Sequence, residues 1–268
     1  MTNLDLGRLG LGVGFEEGTD FLYAIAEAEQ IGYSTVWLSG GQLPDLDAIG
    51  TVLRATGSVN VGSGILAVDR FPADHTAAFF SETESETPGR LVLGLGGAYG
   101  PSPLTTINEY LDALEETVPL DRTMLAALGP KMLDLARERT AGALPALVTP
   151  EFTRQARQAL GQDSQLAVQQ IAIIENDIDT ARELARPTVE FLMSNSSYAA
   201  NARRMGFNDA DISGVSDDLV DALVPSGDIE AVAAAVNRQY EAGADHVAVS
   251  LMNPGNPVEL WRALAAEL

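Results

Sequence analysis

The chain has 268 residues, 46% of them hydrophobic and 6% aromatic, enough to bury a barrel-sized core, and a single domain over 1–268 is expected. Its 38 acidic side chains against 16 basic ones give a formal charge of −22, which repels phosphate backbones and anionic lipid and excludes nucleic acid as an expected partner. Zero cysteines exclude disulfides, thiolate metal sites and Cys nucleophiles, and two histidines, His75 and His246, cannot complete a three-histidine zinc site, so no metal is expected.

Apolar runs alternate with helical patterns along the chain, the signature of βα units and a parallel sheet. The first strand is predicted in "RLGLGVG" (8–14), followed by a helix through "TDFLYAIAEAEQIG". "STVWLS" (34–39) precedes a helix near 45–56, and "VNVGSGIL" (59–66) one near 72–86. Next come "RLVLGLGG" (90–97) with a helix near 104–117, "TMLAALG" (123–129) with one near 130–139, and "ALPALVT" (143–149) with one near 151–160. The seventh strand lies in "LAVQQIAIIE" (166–175), and the eighth is "HVAVSLM" (246–252), closed by the helix "PVELWRALAAEL". Eight such units predict a (β/α)8 TIM barrel. Roughly seventy residues separate strands seven and eight, too many for one crossover helix, so an extended helical connection is expected there. An open doubly wound sheet is the alternative, but no GxGxxG opens a helix with an acid about twenty residues on; "GLGGAYG" comes nearest. No apolar run reaches about 18 residues and no basic n-region precedes an apolar stretch. Neither a membrane span nor a signal peptide is expected, and cytoplasmic is the default.

In such a barrel the site is built at the carboxyl ends of the strands, and these are rich in glycine. Gly12 and Gly14 end strand one, Ser39, Gly40 and Gly41 strand two, Gly62, Ser63 and Gly64 strand three, Gly96, Gly97 and Tyr99 strand four, and Gly129, Pro130 and Lys131 strand five. Glycine at five neighbouring ends would let a flat ligand lie against backbone. Glycines also close barrel strands for conformational reasons alone. "ALGPKML" pairs a helix start at Pro130 with the ammonium of Lys131, a pattern suited to an anion such as phosphate. His75, at the start of the third helix near Arg70, is expected to be exposed; His246 begins the last strand, at the opposite end, and is expected to be structural. No Ser-His-acid set and no paired carboxylates stand at the strand ends, which argues against an acid/base hydrolase.

The series "AIAEAEQIGYSTVWLS", "GSGILAV" followed by Arg70, "TPGRLVLGLGG", "YLDAL", "ALGPKMLDLARERTAGALPALVTPEFTR", "RRMGF" and "LVDALVPSGDIEAVAAAVNRQYEAGADHVAV" resembles the bacterial-luciferase-like (LLM class) flavin and deazaflavin oxidoreductases, in its last four segments the subgroup using coenzyme F420. The resemblance implies a TIM barrel with an extended seventh connection. It also implies a non-prolyl cis peptide at the end of strand three, here Gly64–Ile65, seating the ring of F420 or, alternatively, FMN. By the same carry-over Gly64 and Ile65 shape the ring seat, Gly96 and Gly97 flank the ribityl chain, and Gly129 with Lys131 holds the cofactor phosphate; Ser39, Gly62, Ser63 and Pro130, beside them at the strand ends, are further cofactor-binding candidates. Arg70, Arg203 or Arg204 would meet the acidic tail of F420. Ser226 and Gly227 match a turn before a late helix and take no contact. The implied activity is hydride transfer between a deazaflavin and a small organic substrate; an FMN-dependent monooxygenase or reductase, and a non-catalytic paralogue with an eroded site, are the alternatives. A homodimer is the implied assembly. Relatives carry an acid where Ser39, Gly40 and Gly41 stand, and the stretch after strand four is short, so Tyr99, His75 or the substrate itself is left as proton donor.

Overall fold

The computed structural model describes residues 4–268. Its strands, in chain order, are β1 (Leu9–Val13), β2 (Thr35–Leu38), β3 (Asn60–Ser63), β4 (Leu66–Ala67), β5 (Leu91–Gly96), β6 (Thr123–Leu125), β7 (Gly142–Ala143), β8 (Gln165–Ile174), β9 (Ser226–Gly227) and β10 (His246–Leu251). Eight of them form a closed parallel ring in the order β1-β2-β3-β5-β6-β7-β8-β10, with β10 pairing β1 at Leu9↔Val247 and β8 at Val247↔Val168. This is the predicted (β/α)8 barrel. β4 carries the line of β3 onward, pairing Leu66 with Leu95, and β9 pairs the end of β8 at Ile173↔Ser226.

Helices α1 (Thr19–Ile31), α2 (Asp47–Ala55), α3 (Ala73–Glu86), α4 (Pro103–Leu114), α5 (Pro130–Arg139) and α6 (Pro150–Leu160) follow the first six units. The seventh connection holds five helices: α7 (Ile178–Met193), α8 (Ser196–Arg204), α9 (Asp209–Gly214), α10 (Asp217–Leu223) and α11 (Ile229–Glu241). Each starts where a short polar side chain caps free amides: Asp177, Asn195, Asn208, Ser216 and Asp228. α12 (Val258–Ala266) follows β10. No helix among the described residues is long and apolar enough to cross a membrane.

Three sequence expectations are corrected. The strand predicted over 59–66 stops at Ser63 and resumes at Leu66. The runs 123–129 and 143–149 keep only Thr123–Leu125 and Gly142–Ala143, plus a bridge from Ala146 to Gln169. Pro145 has no N–H to give the ladder and Leu147 has φ 51°, so the sixth apolar run bends away from pairing although its composition reads as strand.

Side chains alternate across the strands. Val36, Leu38, Val61, Leu93 and Val247 face the helices and join a large outer core with Ile25, Ile49, Leu111 and Phe152. Trp37, Val92, Met124, Ala167 and Ala248 turn into the barrel, where Leu4 and Leu6 pack with them. Trp37 fits because Gly62 lacks a side chain: a Cβ there would stand 2.6 Å from the indole. Its Nε1 donates to His246 Nε2 (3.0 Å), while His246 Nδ1 lies 2.9 Å from the Gly7 carbonyl, which can only accept. The partners thus assign a neutral ring protonated at Nδ1, and burial holds the imidazole down at a pKa of about 4. His246 is the structural residue predicted.

Candidate functional site

Above this sealed layer, in which Trp37, Leu144, Ala167 and Ala248 are at most 1% exposed, the barrel opens at the carboxyl ends of its strands. Ser39, Gly64, Ile65, Ala126, Gln169 and Ser250 are all half-buried at this mouth. The step between β3 and β4 supplies its floor, and the Gly64–Ile65 peptide bond there is cis.

The glycines predicted to bare the backbone are mostly covered by the chain itself. A side chain on Gly40 would overlap the Ile65 carbonyl, so this glycine lets the β3 step approach, whereas one on Gly41 would meet nothing within 4 Å. Ser63 is buried and donates to the Gly94 carbonyl (2.9 Å). A Cβ on Gly96 would lie 2.9 Å from Ala126 and 3.1 Å from Ile65, and one on Gly97, which has φ +70°, 2.7 Å from Ala67. A Cβ on Gly64 would overlap the side-chain amide of Gln169, which reaches across the barrel from β8.

Gln169 was not among the residues singled out by sequence. Its Nε2 is buried and has no hydrogen-bond partner among the described residues. The adjacent Gln170 shows the ordinary alternative. On the outer face of β8 it donates to the Ile171 carbonyl (3.0 Å) and accepts from Gln239 (2.9 Å), whose own oxygen accepts from Thr153 (2.6 Å). Two glutamines side by side in an apolar run were the available signal.

The seventh connection walls the mouth on one side. α8 docks there through Arg204, which donates to the Leu128 carbonyl (3.3 Å) and to Asn201 Oδ1 (3.0 Å), and through Met205, which meets the Thr149 hydroxyl. The Arg204 guanidinium stands beside Gly129, the N-cap of α5, with Pro130 in the first turn. Lys131 instead is exposed along a shallow outer groove of about 430 Å3 between α4 and α5, with Asn108, Asp134 and Glu138. A second groove, of about 390 Å3 near Arg139 and Ser164, likewise lies outside the barrel. Tyr99 is 69% exposed, its amide held by Asp69 (2.8 Å). Burial, with Tyr99 nearby, pushes the Tyr198 phenol up to about 12. His75 is exposed, as expected. Arg70 donates to the Pro44 carbonyl (3.1 Å), and Arg203 pairs with Asp209 (2.7 Å). The side chains named at the mouth include no acid and no histidine, and no cluster of metal-ligating residues occurs among the described residues.

Solved structures share this architecture over nearly the whole chain. A coenzyme F420-dependent tetrahydromethanopterin reductase from Methanopyrus kandleri matches with a TM-score of 0.75 and 16% identity, covering 98% of this chain and 99% of that one. An F420-dependent secondary alcohol dehydrogenase in complex with an F420-acetone adduct gives 0.73, 16% and 98% of both chains. This chain has their fold. A type II Baeyer-Villiger monooxygenase from Pseudomonas putida, in complex with FMN, matches at 0.69 and 13% identity over 97% of each chain. The fold resemblance read from the sequence is therefore matched by structures of two F420-dependent enzymes and of a monooxygenase in complex with FMN. No protein-family model matches the chain. Among curated proteins, "Uncharacterized protein YwcH" of Bacillus subtilis (strain 168) is 31% identical over 112 residues, spanning 38% of this chain and only 33% of that protein.

Proposed function

We propose that this chain is an oxidoreductase that seats coenzyme F420 at the barrel mouth and serves hydride transfer to or from a small organic substrate. The observation that carries this reading is the mouth itself: a half-buried ring of small and apolar side chains, with one unpartnered amide, set over a sealed floor. Its likeness in fold to two F420-dependent enzymes supports the deazaflavin as the first candidate. The FMN-bound monooxygenase of the same fold supports FMN as the second candidate.

The residues present fit such a group. Ile65 offers an apolar face, Gln169 an unused donor, and Trp37 beneath keeps water from entering through the barrel. The start of α5 presents the Gly129 and Lys131 amides beside Arg204, which among the described residues hydrogen-bonds only neutral oxygens; this corner suits the cofactor phosphate. The cofactor, when bound, supplies the hydride chemistry of its central ring. The chain positions the reactants and excludes water; with no acid or histidine among the mouth's named side chains, the substrate itself carries the proton that accompanies the hydride.

Titration of the purified chain with F420 and with FMN, followed by absorbance and fluorescence, tests the reading. Saturable binding with a dissociation constant on the order of micromolar, about 8 kcal/mol, is expected for F420. If neither compound binds at about 100 μM, the proposed function is overturned.

A further inference from the structure

We infer that the Gln169 carboxamide is the polar recognition element of the mouth, hydrogen-bonding the imide edge of the bound heterocycle; this rests on the proposed function. Almost every buried polar group in a folded chain has a partner, and one left without is destabilising. The neighbouring buried glutamines obey that rule, since Gln170 and Gln239 each make two or more hydrogen bonds. Among the described residues only Gln169 Nε2 and, on α3, Glu84 Oε2 are buried side-chain polar atoms without a partner, and of the two Gln169 lies at the mouth. Yet the surroundings are arranged to hold it there. The bare Cα of Gly64 leaves the space its amide fills, and its backbone is fixed by pairing with Ala248 and by its N–H on the Pro145 carbonyl (2.9 Å).

A carboxamide carries a donor and an acceptor on one planar group. The pyrimidinedione edge shared by flavins and deazaflavins carries carbonyl oxygens flanking an N–H, the complementary pattern. Gln169 therefore serves either ring, and does not by itself choose between F420 and FMN.

The test uses the full chain, with Gln169→Met and Gln169→Leu as apolar replacements of similar reach and bulk. F420 and FMN are titrated into each variant, and the melting temperature of each ligand-free protein is recorded. The expected result is affinity weakened about tenfold or more, with a ligand-free melting temperature equal to or above that of the unaltered chain. Unchanged affinity in both variants, while the unaltered chain binds, overturns the assignment of Gln169 and leaves the proposed function standing. A lower ligand-free melting temperature in both also overturns it, because the amide then serves the fold. If the unaltered chain binds neither compound, this inference falls together with the proposed function.

Discussion

His246 shows how a single residue ties the barrel interior to solution conditions. Its ring is fully buried, donates from Nδ1 to Gly7 and accepts from Trp37, so a second proton has no place to go. The unfolded chain takes that proton below about pH 6.5, whereas the folded chain resists until about 4. A folded-state pKa below the unfolded value means that stability is complete above about pH 6.5 and declines as the pH falls toward 4, by up to about 3 kcal/mol. Carboxylates act lower. For Glu29, burial alone would raise the pKa, but hydrogen bonds from Gly57, Ser58 and Val59 outweigh it and hold the pKa below its usual 4.5. The window between about pH 6.5 and 5 thus isolates the histidine. Urea unfolding midpoints should fall across that window in the unaltered chain and stay flat in His246→Gln. A flat profile in the unaltered chain would refute the neutral buried ring.

At the scale of elements, the alternation of apolar runs with helical patterns revealed the eight barrel strands and their helices, because a sheet buried on both faces leaves little else for such runs to be. Pairing length was not legible: "ALPALVT" is apolar throughout, but its proline and the positive φ of Leu147 leave a two-residue strand and one bridge. The five helices of the seventh connection were legible only as a group, although Asp177, Asn195, Asn208, Ser216 and Asp228 mark each beginning. The site was legible in part. Barrel topology alone places the mouth at the strand ends, while the glycines there are mostly covered by the chain; which groups fill the glycine gaps depends on strands far apart in sequence, and so Gln169, more than a hundred residues after Gly64, was missed. Its neighbour carries a prediction about how elements are joined. Gln239 of α11 links Thr153 of α6 to Gln170 of β8 and donates to the Val148 carbonyl (3.2 Å). Gln239→Leu strands those partners and should destabilise the chain by about 2–4 kcal/mol, read by urea unfolding. A loss below about 0.5 kcal/mol would show that the network carries little.

For the whole molecule, the dominant electrostatic fact is an excess of 22 negative charges. Ion pairs such as Arg182 with Asp221 and Arg186 with Asp217 fasten α7 to α10, but 16 basic groups cannot offset 38 acids. Self-repulsion of this kind opposes the compact state, and it fades as the screening length shortens from about 10 Å at 0.1 M salt to about 3 Å at 1 M. The melting temperature should therefore rise by several degrees between those concentrations of potassium chloride. A fall would mean that the attractive pairs outweigh the surplus.

The indole set beneath the mouth has an optical consequence. Of the two tryptophans, Trp37 is the one enclosed by the barrel, while Trp261 packs in the outer core. A yellow chromophore resting on Ile65 and Gln169 would lie within a few side-chain lengths of it, close enough to drain its excited state. Ultraviolet emission from the native chain should dim as the mouth fills, giving occupancy a readout that needs no label.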